Sequence, residues 1–367
     1  MGRALAAAGL GVALALGAAT FDTPSLYVPG LVLAVVSLGA LAWVSLAARG
    51  AHVVRAPGPA TVEEGSAWPL VLELRSGLLP PPGGELEEPL LGWPVPLARR
   101  RSRRLRINIR FPRRGRRTLA PARLVIRDPL RLYAWEVEGE GGEELIVLPR
   151  VEPVLAAGGG GGARGSVLGG ERHGPGRRLH DLAAQLELDT LRPYREGTPA
   201  SRIHWPALAR TGEVMERRLV ADTESAPLVV LDSSRASSED ALDRAVRAAA
   251  SICLHLARAG GCGLLLPGDR RPAQLAPDLS AWPATHIRLA LVEPGASRPS
   301  LSRARRAGAV VWVTADPTGA PRGLERVAGA SVWLVSPHPP RGGRTAFSVS
   351  GCTGRRLGVP RPDRRAA

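Results

Sequence analysis

The sequence predicts a three-part chain of mixed β and α/β class: an N-terminal transmembrane helical hairpin, a small antiparallel β-sandwich or barrel, and a doubly wound α/β domain. Three observations carry that prediction. Two apolar runs lie before Gly50, alternating apolar and polar residues punctuated by Gly and Pro fill residues 51–155, and short buried-strand patterns alternate with helical ones from residue 227 onward.

Residues 4–20 are apolar or small, residues 22–25 form a polar turn signal, and residues 28–48 are long and apolar enough to cross hydrocarbon as a helix. Arg3 precedes the first run, and Arg49 and Arg55 follow the second. The positive-inside rule therefore predicts both outer flanks, and the bulk of the chain beyond Gly50, on the cytoplasmic side of the inner membrane. A cleaved signal peptide over residues 1–19 is the alternative, given Arg3 and the small residues Gly17, Ala18 and Ala19. Residues 28–48 remain a span in either case.

In the next segment, assigned to residues 51–155, Leu105, Ile107, Ile109 and Phe111 alternate with Arg104, Arg106, Asn108 and Arg110, the pattern of a half-solvated antiparallel strand. Leu70, Leu72 and Leu74 repeat it, and shorter runs at residues 124–126, 133–137 and 145–148 complete the expectation of a sandwich or barrel. Residues 156–190 open on a Gly/Ala run without the Gly-Lys-Ser/Thr ending of a phosphate loop, so they are assigned to a linker and connector.

The formal charge is +16, and every basic residue is arginine. Eleven of these arginines lie between Arg99 and Arg117. A solvated sheet face accounts for them before contact with anionic lipid does, and lipid contact before nucleic acid, because aromatic residues and zinc-finger spacing are missing from the run. Cys253, Cys262 and Cys352 show no paired or metal-type spacing and are expected to be reduced thiols.

The α/β domain, assigned to residues 218–340, begins with an apolar strand ending at Asp232, followed by a helix over residues 240–259 whose apolar face includes Leu242, Val246, Ile252, Cys253 and Leu256. Residues 263–266, 287–292, 309–313 and 331–335 supply further buried-strand patterns, hence a doubly wound sheet. The Pro-, Gly- and Arg-rich residues 341–367 are expected to form a basic flexible tail.

Between residues 191 and 217 the chain concentrates Arg192, Tyr194, Gly197, Arg202, Ile203, His204, Trp205, Ala209, Arg210 and Gly212. This stretch resembles the signature of the bacterial family catalogued as domain of unknown function 58, in which Arg-x-Ile-His-Trp and Ala-Arg-x-Gly recur before a von Willebrand factor A-like domain. Arg114-Gly115, Leu119-Ala120-Pro121 and Asp128-Pro129-Leu130 are similar to other elements of that family. Thr198 and Pro206 stand where it usually has an acidic residue and a lysine, and Arg131 where it has glycine.

The resemblance implies a von Willebrand factor A-like fold for the last domain. It also implies a signature that is structural or partner-binding and an association with MoxR-type AAA+ ATPases. Such folds hold a divalent cation through Asp-x-Ser-x-Ser, for which hard oxygens suit magnesium or manganese. Here Asp232, Ser234 and the distal Asp316 match, whereas Ala236 removes an oxygen and Arg235 adds positive charge, so a degenerate site without metal is expected. His204 lacks triad or zinc-site partners in the sequence, and the expectation for it is a place beneath a packed Trp205, the signature locking the connector onto the next domain.

The resulting expectation is a membrane-anchored, cytoplasm-facing adaptor or scaffold without enzyme activity or cofactor, working with a MoxR-type AAA+ ATPase in assembly or maturation of other proteins. Membrane lipid is the second expected partner. The alternatives are a metal-dependent enzyme built on Asp232 and an anionic-lipid or nucleic-acid-binding module.

Overall fold

A computed structural model describes residues 2–97, 102–140, 142–156, 191–194, 203, 205–217, 226–300, 307, 309–324, 331–338 and 345–357. The chain divides into two compact units, Met1–Pro112 with Arg116–Ile146, and Arg113–Gly115 with Val147–Ala367.

The first unit opens with helix α1 (Gly2–Thr20), a 3-10 turn (Pro24–Leu26) and helix α2 (Tyr27–Ala48). The turn between them is tight enough to place Asp22 at φ 46°. Small residues let the two helices pack closely: a Cβ on Gly11 would lie 3.1 Å from the Gly30 carbonyl oxygen, and one on Gly30 would lie 3.0 Å from that of Gly11. Among the described residues one helical stretch, Pro24–Ala48, is long and apolar enough to cross a membrane; the apolar stretch of α1, Ala6–Thr20, is shorter.

Ten strands follow: β1 (His52–Arg55), β2 (Thr61–Glu63), β3 (Ala67–Arg75), β4 (Gly84–Glu87), β5 (Val95–Pro96), β6 (Ser102–Arg110), β7 (Gly115–Leu119), β8 (Arg123–Arg127), β9 (Ala134–Glu138) and β10 (Glu143–Leu148). They form sheets of order β1-β3-β6, β2-β10-β7 and β5-β4-β8-β9. β3 buries Trp68, Leu70, Leu72 and Leu74, and β6 pairs with it so that Leu72 faces Leu105 and Leu70 faces Ile107. Arg104, Arg106 and Arg110 stay exposed on the other face, as the period-two pattern requires. An ion pair lies in the interior: Arg55 Nη2 donates to Glu88 Oε1 at 2.7 Å and to the Ala120 carbonyl at 3.0 Å. Burial raises the Glu88 pKa, and the Arg55 guanidinium opposes that shift.

The second unit contains β11 (Leu155–Ala156), β12 (Leu191–Pro193), α3 (Trp205–Thr211), β13 (Met215–Arg217), β14 (Leu228–Asp232), α4 (Glu239–Ala259), β15 (Cys262–Leu265), β16 (Ala273–Leu275), α5 (Trp282–Ala290), β17 (Ala309–Thr314), β18 (Ser331–Ser336), β19 (Phe347–Val349) and β20 (Cys352–Leu357). Its eight-stranded sheet runs β11-β19-β20-β18-β17-β14-β15-β16. β15, β14, β17 and β18 are mutually parallel, β16 antiparallel at one edge. Ser238 caps α4 by accepting from the Ala241 amide at 3.1 Å, with Glu239 and Asp240 in the first turn favouring the helix dipole. The apolar face of α4, including Leu242, Val246, Ile252 and Cys253, is buried against one side of the sheet with Val229, Leu231 and Val313. The three cysteines are free and buried, and burial pushes the Cys352 thiol up to about 12.

Three expectations need correction. Residues 287–292 form no strand; Ile287 to Ala290 end α5, whose buried Thr285, His286, Leu289 and Ala290 follow a helical period. Trp282 stacks on His286 one turn later with ring centroids 4.7 Å apart, and His286 Nε2 lies 2.8 Å from the Pro149 carbonyl. Arg114 then satisfies the C-terminal carbonyls, its Nη1 donating to Ala290 at 3.1 Å and Val292 at 3.0 Å.

The second correction concerns residues 341–367, which are not simply a tail: β19 and β20 form a hairpin on β18 and extend the sheet to Leu357. Its two-residue turn has Ser350 at φ 49° and Gly351 at φ 73°, the doubly positive pair that matches strand twist. Third, the limit of the β-rich part shifts, since Val147 onward belongs to the second unit and β11 pairs with β19. The linker and connector, residues 157–190, lie outside the described residues.

Candidate functional site

The parallel strands place a topological switch point between β14 and β17, because the chain leaves β14 for β15 on one side and later returns to β17 on the other. Asp232 ends β14 directly opposite Thr314 at the end of β17, and Asp316 follows two residues later. The crevice outside these strand ends is where an open α/β sheet ordinarily binds a ligand. Asp232, Ser234 and Asp316, the residues matched through the family resemblance, lie at or just beyond these neighbouring strand ends.

What occupies the centre of the cluster is Arg298. Its Nε donates to Asp232 Oδ2 at 3.0 Å and its Nη2 to Asp316 Oδ2 at 3.0 Å, so one planar guanidinium spans both carboxylates. The carboxylate side chains are 0% and 1% exposed, the arginine 34%. The remaining oxygens are also committed: Ser234 donates to Asp232 Oδ1 from its amide at 3.0 Å and its hydroxyl at 2.6 Å, and Thr318 does the same to Asp316 Oδ1 at 2.8 and 2.6 Å. The Gly295 amide donates to the Ser233 carbonyl at 3.0 Å and pins the loop that carries Arg298 beside β14.

This arrangement does not fit the divalent cation that the family resemblance implies. A hard cation needs about six oxygen ligands, whereas both carboxylates already spend their lone pairs on the guanidinium and on local donors, and Ala236 supplies no oxygen. Among the described residues no group of three or more His, Cys, Asp or Glu side chains could hold a metal. The positive charge at the switch point is supplied by the chain itself.

Burial opposes ionisation of Asp316, but the Thr318 hydrogen bonds and the charges of Arg298 and Arg235 together hold its carboxyl below the usual range. On acidification the unfolded chain takes up this proton first, near pH ~4. The stabilisation is thus complete above that pH and is lost as pH falls through the lower folded value. Thermal melting from pH 6 to 2 should show a steeper acid limb for the parent protein than for Asp316→Asn; coincident limbs would remove Asp316 from the acid response.

Ser237 and His338 border the same crevice, with Ser237 Oγ 3.0 Å from His338 Nε2. The Ala315 carbonyl, which can only accept, lies 3.2 Å from the same nitrogen. Nε2 thus lies within hydrogen-bond distance of a hydroxyl and a carbonyl, its role at each set by the ring tautomer.

The described residues of the signature include a strand pair and a short helix. β12 and β13 pair antiparallel with Arg192 opposite Glu216, and the Tyr194 amide donates to the Val214 carbonyl at 3.0 Å. α3 ends with Arg210 in its last turn, where a cation suits the helix dipole, and Gly212 at φ 72° stops it. Gly197, Arg202 and His204 lie outside the described residues. Trp205 is not packed as expected: it begins α3 and is 60% exposed, with Val214 also exposed nearby in the sequence.

No protein-family model matches the chain, and no curated protein matches it. Among solved structures it is similar to a CARDB domain from Pyrococcus furiosus crystallised in complex with di-metal ions, at 16% identity over 27% of this chain and 87% of that one, with a TM-score of 0.18. A likeness of that degree carries no argument about fold or chemistry.

Sequence reasoning missed Arg298, Thr318, Ser237 and His338. Arg298 stands 66 residues from Asp232 in a loop of irregular structure, so no periodicity or spacing announces it.

Proposed function

We propose that this chain is a membrane-anchored adaptor, facing the cytoplasm and free of catalytic chemistry, whose second unit is a von Willebrand factor A-like domain. The observation that carries the reading is the switch-point crevice, where Arg298 fills the place a substrate or cation would take. The fold assignment is supported by Asp232 and Ser234 after the central strand and by Thr314 and Asp316 after its neighbour. The long apolar stretch Pro24–Ala48 supports the anchor, and the arginines after it favour the inner-membrane orientation.

An exposed tryptophan on a small hydrogen-bonded unit is the kind of residue that dominates protein interfaces. We assign Trp205 to that role, and the resemblance of its surrounding signature makes a MoxR-type AAA+ ATPase the partner. Full-length tagged protein, purified from bacterial membranes in mild detergent, should recover such an ATPase, identified by mass spectrometry. Trp205→Ala should lose it while lowering stability by less than ~1 kcal/mol, since a largely exposed side chain contributes little packing. Recovery without any AAA+ ATPase would remove the adaptor reading, and a drop of several kcal/mol in the variant would make the signature a structural lock instead.

A further inference from the structure

We infer that residues 77–82 of the first unit form a lipid contact separate from the transmembrane span, in which Leu78 and Leu79 enter the headgroup–acyl boundary beside Trp43 and seat the β-rich unit on an anionic bilayer. The inference rests on the reading of α2 as a membrane anchor. At ~1.5 Å per residue, the 25 residues of Pro24–Ala48 run about 37 Å, longer than a hydrocarbon core of about 30 Å. About a turn more than the core needs is left over, and the protein cover places it at the C-terminal end of α2: Val44, Ala47 and Ala48 are buried, and β8 and β9 pack against α2.

The loop after β3 is fastened to the same turn by its backbone. The Gly77 amide donates to the Ala47 carbonyl at 2.9 Å, and the Leu78 amide is shared between the carbonyls of Leu46 at 3.1 Å and Arg49 at 3.2 Å. A side chain at position 77 would collide with the carbonyls of Ala47 and Arg49, so glycine permits the approach. Trp43 Nε1 completes the attachment by donating to the Pro80 carbonyl at 3.1 Å.

Leu78 thus lies within about a turn of Trp43 along the helix axis, at the depth where amphipathic side chains meet the acyl boundary. Leu78 is 62% exposed and Trp43 41%, with Leu79 exposed between them and the prolines. Two adjacent exposed leucines held at that level have lipid as their natural solvent, since a water-facing loop gains nothing from them. The flanking charges agree: Arg49 follows the span, Arg75 precedes the loop, and Arg103 pairs opposite Leu74 at the same end of the β3–β6 ladder. Cations at that level attract anionic headgroups.

The full chain, with Cys253, Cys262 and Cys352 replaced by alanine, should be labelled with an environment-sensitive fluorophore at single cysteines and reconstituted in vesicles of equal phosphatidylcholine and phosphatidylglycerol. Leu78→Cys and Leu79→Cys are the test positions, and Val36→Cys reports the middle of the span. Ser66→Cys, before the far end of β3, reports water. Labels at 78 and 79 should emit blue-shifted light that is lost to spin-labelled lipid and resists aqueous iodide, while the label at 66 does the reverse. If 78 and 79 behave like 66 while 36 is quenched by lipid, the seating is overturned and the anchor stands. If 36 also answers only to iodide, anchor and seating fall together. Shielding of 78 and 79 from both quenchers would assign the loop to a protein contact and equally overturn the proposal.

Discussion

Ending the chain after Pro340 should abolish cooperative folding of the second unit, and Phe347→Ala within the intact chain should destabilise that unit by about 3–5 kcal/mol, the range for truncating a buried aromatic side chain. Phe347 is 1% exposed and lies with its ring centroid 5.9 Å from that of Trp333 on β18. Cys352 and Val349 are buried with it, and β20 pairs with β18 from Val332 to Ser336. Removing the hairpin exposes that apolar surface and leaves β18, all of whose residues are buried, as an open edge. Hydrogen exchange read by mass spectrometry on the full chain in detergent localises the effect. The amides of Ser331–Ser336 should lose most of their protection in Phe347→Ala, whereas a dispensable tail would leave them as slow as in the parent.

The hairpin shows why part of this fold was legible and part was not. Where one pattern runs uninterrupted, sequence and structure agree: β3 and β6 alternate over nine residues each, and α4 keeps one apolar face for twenty-one. The run Phe347 to Cys352 carries equally clear signals, alternating apolar residues around Ser350-Gly351, but it lies among arginines, prolines and glycines whose composition suggests a solvated end. Composition describes an average, and six paired residues suffice to make a strand. Residues 287–292 failed for the opposite reason. A short apolar run fits strand and helix alike, and the contacts that decide for helix, Trp282 on His286 and His286 on Pro149, need residues outside it. The candidate site divides along the same line. Asp232, Ser234 and Asp316 could be proposed because the family resemblance supplies a motif at the ends of apolar strands, whereas Trp205 and Arg298 depend on exposure and on a tertiary ion pair that no local pattern encodes.

Arg298→Ala should lower the stability of the second unit by about 2–3 kcal/mol, somewhat less than the ~3–5 kcal/mol typical of breaking a fully buried pair, because a third of the arginine side chain meets solvent. The cost arises from what remains. Asp232 and Asp316 would keep their bonds to Ser234 and Thr318 but lose the guanidinium that bridges them, each almost wholly buried. If Arg298 does stand in for a divalent ion, the variant has two carboxylates, the hydroxyls of Ser234 and Thr318, and room for water in place of the guanidinium. Millimolar magnesium or manganese should then raise its melting temperature and recover much of the loss, by mass action on the folded state. The parent protein should not respond, since binding would require the cation to displace a charge already held by two hydrogen bonds. Arg298→Lys should fall between the two, keeping the charge but reaching only one carboxylate well. A parent protein stabilised by magnesium as strongly as the alanine variant would show that the guanidinium yields readily, and would return the switch point to the metal-dependent chemistry that its present geometry disfavours.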